Sequence, residues 1–204
     1  EELIETVANN KKISKYFDIP IQHISNPILK KMNRKTSKEN ITKLVNNIKE
    51  QIPNVTLRTS LIVGFPGETR ENFEELLEFV KTTKFDKLGT FMYSKEDGTP
   101  AAKLPEQVHG NTKKSRYNKI MEVQQKISKE ILKNKIGNTY KVLIEDMSFD
   151  GKYFIGRTMQ DVPEEDGLVY IKNDGKVNEN EVLNNFVNCK IENVSNYDLI
   201  GIII

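Results

Sequence analysis

Residues able to do chemistry are few in this chain of 204, which has two histidines, one cysteine and no tryptophan. No Ser/His/Asp set, metal-ligand spacing or glycine-rich phosphate loop can be picked out. Chemistry therefore has to be sought where a strand ends in a turn. Residues 57–68 read Leu-Arg-Thr-Ser-Leu-Ile-Val-Gly-Phe-Pro-Gly-Glu. The aliphatic run predicts a strand buried on both faces. Gly64, Pro66 and Gly67 predict a tight turn after it, and Thr69 an N-cap for the helix from Arg70. Strand, glycine turn and helix in that order build a ligand site at the carboxyl end of a strand.

Alternation along 57–63 sends Arg58, Ser60 and Ile62 to one face and Leu57, Thr59, Leu61 and Val63 to the other. Arg58 and Ser60 are the polar candidates for a cavity, against the reading that Arg58 only pairs with Asp18. His23 follows a strand-like run and either lines a site or sits satisfied in the core. Glu68 is a ligand-facing carboxylate or a first-turn residue answering the helix dipole. Cys189 reads as a small buried residue in a strand, and a single cysteine excludes an internal disulfide.

These residues need elements to hold them. A helix over 1–10, an alternating strand near 16–22 that Pro20 makes an edge strand or ends, and a short helix from Ser25-Asn26-Pro27 come first. Thr36-Ser37-Lys38-Glu39 predicts a capping box for a helix through Ile41, Leu44, Val45 and Ile48. A helix with Phe73, Leu76, Leu77 and Val80 and a strand over 88–93 follow the central strand. The order strand–helix–strand–helix–strand implies an α/β unit with parallel strands. A long loop over 95–111, of the kind that covers sites, leads into a helix over 112–135.

Beyond Gly137 the pattern changes to five short strands, near 140–145, 153–157, 168–171, 186–191 and 199–204, the size of a closed OB-like β-barrel. Charge changes too. Residues 137–204 carry 6 basic and 12 acidic residues, a net of −6, whereas 1–136 carry 25 and 17, a net of +8. A domain boundary at 136/137 is expected. Tyr140, Tyr153, Tyr170 and Phe186 are the aromatics that could stack on nucleic-acid bases, and at this spacing they are expected in the barrel core instead. No apolar run reaches the ~20 residues that span a bilayer, and a soluble, cytoplasmic protein is expected. The abrupt helical start reads as a fragment of a longer chain.

Three motifs together carry a resemblance: Tyr-Phe-Asp-Ile-Pro-Ile-Gln-His at 16–23, the 57–68 segment, and Gly-Thr-Pro-Ala-Ala-Lys-Leu-Pro at 98–105. They resemble the radical S-adenosylmethionine methylthiotransferases. The segment Gly-Arg-Thr-Met-Gln-Asp-Val-Pro-Glu-Glu-Asp-Gly at 156–167 and Tyr-Asp-Leu-Ile-Gly at 197–201 are similar to the RimO branch, which modifies an aspartate of a small-subunit ribosomal protein.

The resemblance implies the last three strands of a six-stranded radical SAM barrel over 1–136 and a whole TRAM barrel over 137–204. It implies S-adenosylmethionine and two 4Fe-4S clusters in the parent protein, none of them ligated by this chain, which has no Cys-x3-Cys-x2-Cys motif. The chain by itself is expected to be inactive. The cofactor-facing residues it implies are Gln22, His23, Arg58, Ser60, Gly64, Pro66, Gly67 and Glu68, with no metal ligand. A ribosomal protein is the expected partner through the acidic TRAM part, with no membrane and a monomeric state. The alternatives are a tRNA adenosine methylthiotransferase of the same family and a non-catalytic TRAM binding module.

Overall fold

Pro20 decides how the first strand runs. In the computed structural model, which describes residues 1–204, β1 covers only Tyr16–Asp18 and pairs in parallel with β2, Thr56–Val63. Proline brings no N–H to a ladder, so pairing lapses and resumes at Gln22, whose N–H donates to the Ser60 carbonyl at 2.8 Å. Buried Thr59 spans the gap: its hydroxyl donates to the Ile19 carbonyl at 2.8 Å and accepts from the Ile21 N–H at 3.4 Å. The strand is at the sheet edge and ends before Pro20, as that proline implies, and an isolated bridge at Gln22 follows it.

The other face-setting features follow from the residues. β3, Lys87–Met92, lies beside β2 in parallel, giving the order β1-β2-β3. Leu57, Thr59, Leu61 and Val63 are almost completely buried, while Arg58, Ser60 and Ile62 are half-buried. The helices flank this sheet in sequence. α1 (Glu2–Asn9) precedes β1, and α2 (Asn26–Lys31) has Pro27 in its first turn behind the N-cap Ser25. α3, Lys38–Gln51, buries Ile41, Val45 and Ile48 and is capped by Ser37, whose hydroxyl accepts from the Asn40 N–H; the box expected from Thr36 and Glu39 is replaced by this single cap. α4, Arg70–Thr83, begins at Thr69 with a reciprocal box to Asn72 and buries Phe73, Leu76, Leu77, Phe79 and Val80.

The 95–111 stretch contains a 3-10 turn at Pro100–Lys103 before α5, Gly110–Lys133. Along α5, Ile120, Gln124 and Ile127 are buried, and the Gln124 amide donates to the Phe85 carbonyl at 2.9 Å. Glu1–Ile127 forms one compact unit and Ser128–Ile204 a second.

In the second unit β4 (Thr139–Met147), β5 (Tyr153–Thr158), β6 (Val169–Lys172), β7 (Phe186–Val194) and β8 (Leu199–Ile203) close a barrel in the order β4-β5-β6-β8-β7. A short helix, α6 (Glu179–Val182), precedes β7. Bulges at Ile144/Asp146 and Ile191/Asn193 bend the two longest strands, which helps a five-stranded sheet close on itself. Val142, Ile144, Phe154, Val169, Ile171 and Ile191 fill the interior. Cys189 lies there too, with its thiol pushed up to about 11 by burial. One expectation fails. Phe186 is 61% exposed, with the Lys141 ammonium 4.7 Å from its ring centre, because it stands on the outward side of β7. Tyr153 and Tyr170 miss the core as well: they alternate with interior Phe154 and Ile171, are half-buried and pack edge-to-face on each other at 6.1 Å, whereas Tyr140 packs against the interior.

Candidate functional site

At the carboxyl end of β2 the chain turns on glycines. Gly64 and Gly67 have φ of 73° and 78°, the left-handed region that costs a side-chain-bearing residue most. Space disfavours a side chain as well, tightly at Gly64 and only through movable side-chain ends at Gly67. A Cβ at Gly64 would meet the stem of Lys113, and one at Gly67 the Lys31 ammonium, itself paired with Glu106 at 3.0 Å. Close approach at both positions is therefore by the chain's own lysines.

Pro66 is buried in the middle of this turn. Glu68 folds back under it. The Gly64 and Phe65 amides both donate to its Oε2, the latter at 3.2 Å, and Arg116 Nη1 stands 3.4 Å from the same oxygen. With its side chain completely buried, Glu68 acts as the internal acceptor of the turn and not as a solvated first-turn carboxylate. His23 is also fully buried; its Nδ1 accepts from the Ser25 N–H at 3.0 Å and its Nε2 lies 3.8 Å from Glu68 Oε1. Neither of those two facing atoms has a hydrogen-bond partner.

Beside the turn lies a cavity of about 300 Å³, bordered by Gln22, Ile62, Phe65, Arg34 and Thr99 among others. That is the lower end of ligand-pocket sizes, ~300–1,000 Å³. Gln22 reaches it from a positive φ of 71°, a conformation set by the resumed bridge to β2. Of the residues singled out in the sequence, Gln22 lines the cavity. Gly64, Pro66 and Gly67 shape the turn next to it, and His23 and Glu68 lie buried behind that turn. Arg58 pairs with Asp18 at 3.0 Å, and Ser60 offers its carbonyl to Gln22; neither borders this cavity.

Ile62 and Phe65 were passed over although they belong to the central segment, since an apolar residue there reads as core. Arg34 and Thr99 approach from distant loops; only the length of the 95–111 loop hinted at the second. Arg34 brings positive charge to an otherwise largely apolar rim, where Lys31 is already paired with Glu106, which suits a ligand carrying a carboxylate.

Two family models match this sequence, the radical SAM superfamily over residues 1–80 and the TRAM domain over residues 136–204. Among its relatives, a ribosomal protein uS12 methylthiotransferase RimO from Alkaliphilus oremlandii is 58% identical over 201 residues, covering 98% of this chain and 45% of the relative. Proteins of the same name from Clostridium novyi and Clostridium perfringens are 50% and 48% identical over 203 residues, each covered for 44% of its length. The chain thus joins a radical SAM segment to a TRAM barrel, and spans less than half the length of the curated relatives it matches. It belongs to the radical SAM methylthiotransferase family, in the RimO branch.

The two cofactors implied by that family fit these residues differently. The cavity, with its apolar wall and cationic rim, suits part of S-adenosylmethionine. An iron–sulfur cluster does not fit: the only thiol is inside the barrel, and no three His, Cys, Asp or Glu side chains converge. No helix is long and apolar enough to cross a membrane.

Proposed function

We propose that this chain is part of a cytoplasmic radical SAM methylthiotransferase that adds a methylthio group to the β-carbon of an aspartate in a small-subunit ribosomal protein. Residues 1–136 are its share of the cofactor barrel and 137–204 its TRAM domain, and the whole protein works as a monomer. The supporting observation is 58% identity to a uS12 methylthiotransferase along 98% of the chain.

S-adenosylmethionine bound at the β2 turn supplies the radical and methyl chemistry; the residues here bind and orient it. Gln22 and the residues 64–67 form its wall, and Arg58 and Ser60 line the same sheet face further along. His23 and Glu68 support that wall from behind. The 4Fe-4S clusters are held by parts of the parent protein outside this chain.

The TRAM domain recognises the substrate through acidic charge. Four of its six cations, Lys152, Arg157, Lys172 and Lys176, are already held by Asp150, Glu145, Glu192 and Asp174. A surface so poor in available cations suits a basic protein better than a phosphate backbone, whose binding rests on cation contacts. One observation favours the tRNA reading: Phe186, exposed beneath Lys141, is a possible stacking platform for a base.

The test is to incubate the full-length, anaerobically reconstituted protein with uS12-containing small subunits and, separately, with tRNA, and to analyse both by mass spectrometry. A methylthio adduct on a uS12 aspartate is expected. An adduct on tRNA adenosine with uS12 unmodified refutes the reading.

A further inference from the structure

The β2–α4 turn is held from a third element, the start of α5. Lys113 and Arg116 lie one helical turn apart there, on one face. The Lys113 ammonium donates to the Tyr93 carbonyl at 2.7 Å and stands 4.9 Å from the Tyr93 ring centre. Arg116 reaches further in. Its Nη1 donates to the Glu68 carbonyl at 3.0 Å and lies 3.4 Å from Glu68 Oε2, while the guanidinium sits 5.5 Å from the Phe73 ring centre. The side chain is only 11% exposed.

Glu68 in turn accepts the Gly64 and Phe65 amides, and Phe65 borders the cavity. A continuous path therefore runs from α5 through one carboxylate to the cavity wall. Without Arg116 that carboxylate keeps only the two amides: His23 Nε2, 3.8 Å from its other oxygen, makes no hydrogen bond to it, and no other cation is paired with it. A buried carboxylate without a cation is costly and re-sorts its partners. It would leave the two amides or draw in water, and the turn would lose its single conformation.

We propose that Arg116 is a positioning residue for the adenosylated cofactor, acting through Glu68 on the residues 64–65 without touching the ligand. The geometry asks for arginine in particular. One guanidinium nitrogen, Nη1, serves both the Glu68 carbonyl and its carboxylate while the delocalised cation lies 5.5 Å from the Phe73 ring centre; the shorter, more strongly hydrated lysine keeps a charge but gives up part of this reach and ring contact. The inference rests on the proposed S-adenosylmethionine site.

The test uses the full-length reconstituted protein, as wild type, Arg116→Met and Arg116→Lys. S-adenosylmethionine affinity is measured by equilibrium dialysis, and hydrogen exchange is followed at the Gly64 and Phe65 amides, with iron content and circular dichroism as folding controls. In the methionine variant, affinity is expected to fall at least tenfold and exchange at both amides to rise at least tenfold, with iron content unchanged; lysine falls between. Unchanged affinity in the methionine variant overturns the proposal, and so does unchanged amide exchange. Should that variant fail to fold, the lysine variant decides, and wild-type values for it in both measurements overturn the proposal. Wild type that binds no S-adenosylmethionine refutes the functional reading and this inference with it, whereas wild-type binding that survives the substitutions refutes this inference alone.

Discussion

Glu68→Ala is the most informative single change, because one carboxylate carries most of the turn's polar bookkeeping. In the wild type, Oε2 accepts the Gly64 and Phe65 amides and faces Arg116, all inside a region where the Glu68 side chain has no exposure. A hydrogen bond to a charged group contributes roughly 1.5–3 kcal/mol net, and removing one member of a buried ion pair costs roughly 3–5 kcal/mol. The terms overlap, since the same oxygen serves both, so about 3 kcal/mol is the reasonable sum. At ~1.4 kcal/mol per factor of ten, the two amides should exchange on the order of a hundredfold faster. Glu68→Gln keeps a neutral acceptor and loses the charge, so about tenfold is expected. The assay is site-resolved hydrogen exchange, with the Ile191 amide in the barrel, bonded to the Asn138 carbonyl at 3.0 Å, as an internal control. An alanine variant whose Gly64 and Phe65 amides exchange within threefold of wild type would refute the reasoning. So would equal acceleration at Ile191, since the effect would then be global.

Other consequences are smaller and separable. Thr59→Val removes a second hydrogen bond from the Ile19 carbonyl and the Ile21 N–H, which still bond each other at 2.8 Å; chemical denaturation should show a loss of about 1 kcal/mol, and a loss beyond about 2.5 kcal/mol would mean that the hydroxyl alone holds the Pro20 gap. The Cys189 thiol, raised from 9.0 to about 11 by burial, favours the folded state fully below pH 9. That contribution disappears as pH rises toward 11, so a Cys189→Ala variant should lose less stability than wild type between those values, and native Cys189 should resist iodoacetamide at pH 8. Phe186→Ala, at an exposed position on β7, should shift the unfolding midpoint by no more than ~0.5 kcal/mol equivalent; a loss beyond about 1.5 kcal/mol would restore it to the core.

Local rules made much of this molecule legible. Thr69 caps α4, Ser25 and Pro27 open α2, and the five barrel strands lie where their alternation and turn residues place them, because a cap or a hairpin depends on residues a few positions apart. The charge step between the halves was equally readable, being composition. Tyr153, Tyr170 and Phe186 stand outside the core because a strand's alternation does not say which of its two faces is wet.

The site was legible only as far as its residues are neighbours in sequence. The 57–68 segment was readable as a strand with a glycine turn. Glu68, judged by position, resembled a first-turn acid; its actual role depends on Arg116, 48 residues further on. His23 shows the same limit from the other side. Its place at a strand end pointed equally to ligand and to core, and only burial against Glu68 puts it behind the wall. The glycines carry the point furthest. Their spacing signals close approach but not by what, and here Lys113 and Lys31 fill that space. Whatever ligand the turn serves meets a wall whose shape is set from α2 and α5, so substitutions at Lys31, Lys113 and Arg116 bear on the cavity as directly as those in the motif itself.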